Sequence, residues 1–188
     1  MSDPIPPIST LNFERVRLRP MRAADADDLF VLHSDARVMR YWSHPAWTEL
    51  DQAVQRLEKL ERDRETSEFY QWAVTLDGYD ALIGTVSLFS LNRGQRRAEV
   101  GYALASGFWG HGYATEMLRP ALDFAFNTLE LERLEADIDP RNEASCRLIE
   151  RVGFVREGLL RERWRVADEV TDSAMYGLLR REYAAGKT

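Results

Sequence analysis

The chain has 188 residues, of which 45% are hydrophobic, so it is long and apolar enough for one domain with a substantial core. Its 25 basic and 31 acidic residues give a net charge of −6, which argues against nucleic acid as a direct partner. No run approaches the ~18 apolar residues of a membrane span, and the start of the chain lacks the basic and apolar regions of a signal peptide. The single cysteine, Cys146, can form no intramolecular disulfide and suits a reducing compartment, so the composition predicts a cytoplasmic protein.

The first half of the chain is predicted to begin with a flexible tail over residues 1–12 and then to mix strands with helices. Residues 15–19 alternate polar and apolar side chains, which indicates a half-buried strand. Asp77-Gly78 favours a hairpin turn between two further strands. In chain order, the predicted elements are a strand at 15–19, helices at 23–34 and 48–64, and strands at 69–76 and 81–91.

The second half contains two strands that are predicted to be parallel, because a helix joins them. Pro120 lies inside that helix, where we expect a kink or a lost hydrogen bond. Asn142 is a typical N-cap for the next helix, which ends at Gly153. The predicted elements are a strand at 97–104, a helix at 114–129, a strand at 133–139, a helix at 142–152, and strands at 154–161 and 170–179.

These elements predict an α+β (α/β) fold in a single domain over residues 13–184. The sheet is expected to be mixed and mostly antiparallel, with roughly seven strands, one parallel pair and about four flanking helices.

The most informative motif is Trp109-Gly110-His111-Gly112-Tyr113-Ala114-Thr115, between a predicted strand and a predicted helix. Glycines let the backbone turn tightly and let an anion approach the main chain. The helix start supplies unpaired amides and the positive end of its dipole. The motif therefore predicts a cradle for a diphosphate.

The chain resembles the GCN5-related N-acetyltransferase (GNAT) superfamily, and within it the branch of the ribosomal-protein N-terminal alanine and serine acetyltransferases. The resemblance extends over about residues 15–183 and rests on four blocks in the right order and spacing. These blocks are Glu99-Val100-Gly101-Tyr102, Phe108 to Glu116, Asp139-Pro140-Arg141-Asn142-Glu143-Ala144-Ser145, and Leu148-Ile149-Glu150-Arg151-Val152-Gly153-Phe154.

The resemblance implies acetyl-CoA as co-substrate, with its pantetheine arm lying between two splayed parallel strands. Trp109 stands where the superfamily has Gln or Arg, so main-chain amides are expected to bind the diphosphate. The implied coenzyme-binding residues are Tyr102, Ala103, Leu104, Trp109, Gly110, His111, Gly112, Tyr113, Ala114, Thr115, Asn142 and Ser145.

The implied reaction is direct attack of a neutral amine on the acetyl thioester, without a covalent enzyme intermediate. It needs a base, an oxyanion donor and an acid for the thiolate. The candidates are Glu99 acting through a water, the Leu104 amide, and Ser145, with Tyr176 as an alternative acid. Purely structural roles remain open: a surface position for Glu99, a helix cap for Asn142, a backbone contact for Ser145 and sheet packing for Tyr176. The small Gly101 and Ala103 on the Glu99 side of the strand are expected to leave room for substrate.

The acceptor site is expected between an aromatic loop and a late loop near Trp164, at Tyr41, Trp42, Trp47 and Trp164. These aromatics suit a cationic peptide N-terminus, although packing or a dimer contact is the alternative. The three histidines are too scattered to predict a metal site.

The predicted function is acetyl-CoA-dependent N-acetylation of a primary amine, foremost the α-amine of a ribosomal or other protein. The alternatives are a small-molecule acceptor, such as a polyamine, amino acid or antibiotic, and a non-catalytic acyl-CoA-binding module. A monomer and a homodimer are both compatible with the sequence.

Overall fold

The structure is a computed structural model that describes residues 6–62 and 69–186. The first five residues of the predicted tail and the last two of the helix predicted at 48–64 lie outside this range. The strands are β1 (Leu11–Phe13), β2 (Val16–Pro20), β3 (Tyr70–Leu76), β4 (Tyr79–Asn92), β5 (Arg97–Leu104), β6 (Arg133–Ile138), β7 (Val155–Val166) and β8 (Glu169–Leu179). The α-helices are α1 (Ala26–Ser34), α2 (Ala36–Met39), α3 (Leu50–Arg62), α4 (Tyr113–Asp123), α5 (Glu143–Arg151) and α6 (Arg180–Ala185).

The strands form one eight-stranded sheet in the order β1-β2-β3-β4-β5-β6-β8-β7. Only β5 and β6 pair in parallel, and the other neighbouring strands are antiparallel. The crossover through α4 accounts for the parallel pair, because two parallel strands need a long connection. The predicted mixed, mostly antiparallel sheet with flanking helices is thereby confirmed.

The parallel pair splays apart. Its register runs from Arg97↔Arg133 to Glu99↔Glu135, and there the pairing ends. β5 continues to Leu104 and β6 to Ile138. A wedge-shaped gap therefore opens in the middle of the sheet, between the C-terminal halves of these two strands.

The N-terminal segment differs from the predicted tail in its described part. Leu11 pairs with Leu18, so β1 adds an edge strand to the predicted sheet. The Tyr70 hydroxyl and the Trp72 indole donate to the carbonyls of Pro6 and Ser9, both at 2.9 Å. A strand of three residues is too short for alternation to reveal it. The short helices α2 and α6 escape prediction for the same reason.

The sheet packs helices on both faces. We call the face under α4 and α5 the helix face, and the opposite face the Glu99 face. The main core lies on the helix face, and a smaller core forms where α1 and α3 pack on one end of β3, β4 and β5. Among the described residues, no helix is long and apolar enough to span a membrane.

Helix α4 runs from the gap across the helix face. Pro120 is accommodated inside it, and from Phe124 to Thr128 the helix widens into a π-turn. In that turn the Leu129 amide donates to the Phe124 carbonyl at 3.0 Å, a pairing five residues apart.

Candidate active site

The glycine motif forms a tight loop at the start of α4. Gly110 and Gly112 have φ angles of +81° and +87°, which favour glycine over other residues. Gly112 is the N-cap, so Tyr113 and Ala114 begin the helix with amides that have no partner inside it. The Thr115 amide donates to the Gly112 carbonyl at 3.0 Å, so it is already paired within the first turn, unlike those of Tyr113 and Ala114. The expected contact of Thr115 with the diphosphate stays a prediction.

A salt bridge that the sequence analysis missed holds this loop. Arg15 pairs with Glu116 in the first turn of α4, and its Nη2 donates to the His111 carbonyl at 2.8 Å. The guanidinium also lies 4.5 Å from the centre of the Tyr113 ring. Residues 101 positions apart carry no sequence signal for such a contact. Arg15 therefore holds the loop by its backbone and neutralises the Glu116 carboxylate, which lies near the cradle amides.

Every second residue of β5 directs its main-chain N–H and C=O groups into the gap. The Ala105 amide donates to the Ile83 carbonyl at 2.8 Å, and the register between β4 and β5 is continuous from Gly84↔Leu104 to Phe89↔Glu99. Main-chain groups alternate in direction along an antiparallel strand. Those of Tyr102 and Leu104 consequently point away from β4 and into the gap. Those of Ala103 point at β4, so the expected contact of Ala103 with the coenzyme is wrong for its main chain.

Trp109 lies at the C-terminal end of the β5 edge that faces the gap. Its indole Nε1 donates to the Leu104 carbonyl at 2.7 Å, while much of the ring stays exposed. Trp109 therefore shapes the gap with its side chain, and its indole donor is already used. The Leu104 amide remains directed into the gap, which keeps it as the oxyanion-donor candidate.

Helix α5 brings two predicted residues to the gap. Asn142 is the N-cap, and its Oδ1 accepts a hydrogen bond from the Ser145 amide at 3.1 Å. The amide nitrogen of the Asn142 side chain is left for another partner. Ser145 Oγ lies 2.6 Å from the Tyr102 hydroxyl, across the gap between α5 and β5. Burial raises the pKa of Tyr102 well above its usual range, and the hydrogen bond with Ser145 opposes this shift.

Tyr176 lies beneath α5, near Cys146 and Glu150. Its ring is buried on the helix face, and its hydroxyl donates to Glu150 Oε1 at 3.3 Å. Burial and then the neighbouring Cys146 thiol raise the pKa of Tyr176. Cys146 is half-buried and packs against the main core, as expected for a small core residue.

Glu99 stands at the point where the parallel strands part. It is half-buried, and its carboxylate forms no hydrogen bond or ion pair with any residue in the described ranges 6–62 and 69–186. Its neighbour Glu135, at the same register on β6, accepts from Arg97 at 2.9 Å and from Arg133 at 2.8 Å. Of these two facing carboxylates, only Glu99 is therefore available to a ligand.

Phe89 occupies part of the space that the sequence analysis assigned to substrate. A Cβ built on Gly101 meets Phe89 Cε1 at 3.1 Å, so the ring lies over Gly101 on the Glu99 face. Ala103 is buried in the smaller core. The expected room at these two residues is thus already filled by protein, and Phe89 becomes a wall beside Glu99.

The predicted acceptor aromatics fall into two groups. Trp42 and Trp47 pack in the smaller core against His33, with the Trp47 and His33 rings stacked at 4.3 Å. Tyr41 instead lies between Arg40 and Arg141, whose guanidinium carbons are 5.3 and 5.8 Å from its ring centre. Arg141 immediately precedes Asn142, the N-cap of α5. Because Tyr41 contacts Arg141, it also lies near the gap.

Trp164 reaches the same region from the β7–β8 hairpin. Its indole Nε1 donates to Asp137 Oδ2 at 3.0 Å, and Arg163 Nε lies 3.7 Å from the same oxygen. Asp137 follows Glu135 by two positions on β6, so it projects on the Glu99 face beside the gap. Alternation along β6 was the sequence signal that would have identified Asp137.

The geometry fits a long, diphosphate-bearing thioester. Directed main-chain groups along β5, a glycine loop with free amides and a polar cap on α5 line one continuous gap. Within the described part of the chain, no group of three or more His, Cys, Asp or Glu side chains is arranged to hold a metal ion. The class of protein defined by a splayed parallel pair and an amide cradle is a coenzyme A-dependent acyltransferase.

Comparison with known proteins identifies this class. A family model for the acetyltransferase (GNAT) domain matches residues 15–155. The uncharacterized N-acetyltransferase p20 of Bacillus licheniformis is 34% identical over 180 residues, which cover 94% of this chain and 99% of that protein. YdaF of Bacillus subtilis, provisionally named a ribosomal N-acetyltransferase, is 38% identical over 110 residues, which cover 58% of this chain and 60% of that protein.

A solved structure with bound CoA shares the fold. The spermidine N-acetyltransferase of Vibrio cholerae, in complex with CoA and spermine, superposes with a TM-score of 0.81 at 25% identity. The match covers 90% of this chain and 98% of that chain. The chain belongs to the GNAT acetyltransferase family, and it is an acetyl-CoA-dependent N-acetyltransferase.

Proposed function

We propose that the enzyme transfers an acetyl group to the α-amine at the N-terminus of a protein, by direct attack within a ternary complex. In this proposal acetyl-CoA lies along β5 and against the starts of α4 and α5. The amine approaches from the Glu99 face, at the point where the sheet opens. The splayed register after Glu99↔Glu135 supports this arrangement, because it gives both partners access to one point.

One group is assigned to each of three catalytic roles, namely the base, the oxyanion donor and the hydrogen-bond donor to the leaving sulfur. Glu99 takes the proton from the amine through a water, and the Leu104 amide donates to the developing oxyanion. Ser145 donates a hydrogen bond to the departing sulfur, and the Asn142 side-chain amide holds the pantetheine arm. Ser145 is preferred to Tyr176 because the Tyr176 hydroxyl is directed to Glu150.

The choice of acceptor rests on one observation, namely which carboxylates around the gap are already paired with arginines. Glu135 is paired with two arginines, and Glu169 is paired with Arg40 and Arg141. Two further acids are also paired, Asp35 with Arg37 and Asp139 with Arg141. Paired acids contribute little attraction for an added cation. Of these described acids around the gap, Glu99 alone has no arginine partner, since Asp137 also lies 3.7 Å from Arg163, and this suits an acceptor with one ammonium group better than a polycation.

Tyr41, Trp164 and Asp137 complete the proposed acceptor site. Tyr41, beside Arg141, and Trp164, bonded to Asp137, would flank the first residues of a peptide. Asp137, whose Oδ2 accepts from the Trp164 indole, would also accept from a backbone or side-chain donor of that peptide. Trp42 and Trp47 would support this wall from within the smaller core.

A polyamine is the alternative acceptor, and the Vibrio cholerae relative named above is a spermidine N-acetyltransferase. The test compares initial rates of thiol release from acetyl-CoA with three acceptors at equal concentration. These are a peptide with a free N-terminal serine, the same peptide with a blocked α-amine and an internal lysine, and spermidine.

We expect the free peptide to exceed both other acceptors by at least tenfold in kcat/KM, with the acetyl group located on the α-nitrogen by mass spectrometry. Faster turnover of spermidine would contradict the protein acceptor and favour the polyamine. Binding of acetyl-CoA without turnover of any amine would favour a non-catalytic acyl-CoA-binding module.

A further inference from the structure

Tyr102 makes a side-chain contact that the assigned roles above leave unused. Its hydroxyl lies 2.6 Å from Ser145 Oγ and 3.4 Å from the Ser145 carbonyl oxygen. Tyr102 belongs to the part of β5 that has left β6, and Ser145 belongs to the first turn of α5. The contact therefore spans the gap beside the place assigned to the reacting thioester.

The chemistry of the two hydroxyls sets the direction of this hydrogen bond. A phenol is a stronger acid than an alcohol, so Tyr102 is the better donor and Ser145 Oγ the better acceptor. Burial keeps the phenol protonated, since it raises the pKa of Tyr102. When Tyr102 donates, the hydrogen on Ser145 Oγ is free to bond to a second acceptor.

The backbone of Ser145 is held at the same time. Its amide donates to Asn142 Oδ1 at 3.1 Å, so the N-cap fixes the first turn of α5. With the amide held by Asn142 and Oγ held by Tyr102, the serine hydroxyl is fixed beside the gap, and its hydrogen is left for a second acceptor there.

We propose that Tyr102 is a positioning residue for the acetyl transfer: its hydroxyl donates to Ser145 Oγ and thereby aims the serine O–H at the sulfur of acetyl-CoA. The inference rests on the proposed function of the site. When the tetrahedral intermediate collapses, the C–S bond breaks and the sulfur takes the electron pair. The serine hydrogen bond stabilises this thiolate, while the proton from the amine goes to Glu99. No proton moves between Tyr102 and Ser145.

The test is a double-mutant cycle with Tyr102→Phe, Ser145→Ala and the double variant, measured as kcat and as KM for acetyl-CoA. Tyr102→Phe leaves the serine hydroxyl without its fixed direction, and the resulting weakening of its hydrogen bond to the charged sulfur predicts a fall in kcat of about tenfold. KM for acetyl-CoA should change by less than about twofold, because the effect arises in the transition state. In the Ser145→Ala background, Tyr102→Phe should cost less than about twofold more, because the two residues act as a unit. The matched control is Tyr70→Phe, which removes a hydroxyl bonded to the Pro6 carbonyl far from the gap.

A second measurement tests whether the effect of Tyr102→Phe depends on the leaving group. The selenoester analogue of acetyl-CoA releases a selenol, which is more acidic than the thiol and needs less stabilisation. The fall in kcat caused by Tyr102→Phe should therefore shrink to less than about threefold with this substrate. A merely structural role of Tyr102 would lower the rates with both donors equally.

The outcomes separate the inference from the proposed function. Wild-type activity together with an unchanged kcat in Tyr102→Phe, or with losses that multiply in the double variant, would overturn the positioning role alone. An equal loss with thioester and selenoester would overturn it as well. Failure of the wild-type enzyme to release thiol with any amine would overturn the proposed function, and the inference with it.

Discussion

At the scale of single residues, the site depends on which polar groups are already paired. Glu99 and Glu135 face each other at the last pair of the parallel register, yet only Glu135 is neutralised by arginines. Sequence placed Glu99 on the correct strand and face, because alternation along β5 is clear. It could not reveal that Phe89 covers Gly101 or that Arg15 holds Glu116, since these contacts form between distant segments.

The free carboxylate gives a prediction for Glu99→Gln. Glutamine keeps the size of the side chain but cannot accept a proton, so kcat should fall by about 100-fold or more. The dissociation constant for acetyl-CoA, measured by calorimetry, should stay within about twofold, because Glu99 projects on the face opposite α4 and α5. Glu135→Gln is the matched control and should retain most of the activity. Equal losses in the two variants would show that Glu99 has no special role as base.

At the scale of elements, hairpins and the long amphipathic helices were predictable, because their patterns extend over many residues. β1, α2 and α6 were not, because three to six residues carry too little periodicity. The main-chain direction along β5 also required the structure: only the register with β4 separates Tyr102 and Leu104 from Ala103. The packing of α1 and α3 around His33 was likewise hidden, although the aromatic loop itself was visible in the sequence.

The burial of His33 predicts a pH dependence of stability. Desolvation, with smaller contributions from His44 and Arg56, lowers the pKa of His33 to about 4. Its Nδ1 has no hydrogen-bond partner among the described residues, so nothing there compensates a buried charge. Between pH 6.5, the pKa of an unperturbed histidine, and a pH of about 4, the pKa of His33 in the folded protein, the unfolded chain binds more protons than the folded one. Stability is therefore lost as the pH falls through this range.

The size of the effect follows from the same shift. The free energy of unfolding should drop by about 3 kcal/mol between pH 7 and pH 4 on account of His33. The measurement is denaturant unfolding at several pH values for the wild-type protein and for His33→Phe, which lacks the titrating group. The difference between the two curves should fall with decreasing pH. A difference that is constant over pH 4–7 would contradict a buried neutral histidine at this position.

At the scale of the whole molecule, one sheet carries both halves of the proposed reaction. Its eight described strands belong to one sheet with β1 and β7 at the edges, and a single domain over residues 13–184 stays a prediction. The helix face supplies the cradle and the α5 cap, whereas the Glu99 face supplies a carboxylate and an aromatic wall. The splay between β5 and β6 joins the two faces, so substrate access and coenzyme binding depend on the same break in the hydrogen-bonded ladder.

The most direct test of this account is amide hydrogen exchange, followed residue by residue with and without acetyl-CoA. The main-chain amides of Tyr102 and Leu104 face the gap, and those of Tyr113 and Ala114 begin α4, so all four should exchange slowly only when acetyl-CoA is bound. The amides of Gly101 and Ala103, which face β4, should be protected in both states and serve as the internal control. If acetyl-CoA binds and leaves the exchange of Tyr102 and Leu104 unchanged, the coenzyme does not lie along β5 and the assignment of the gap is wrong.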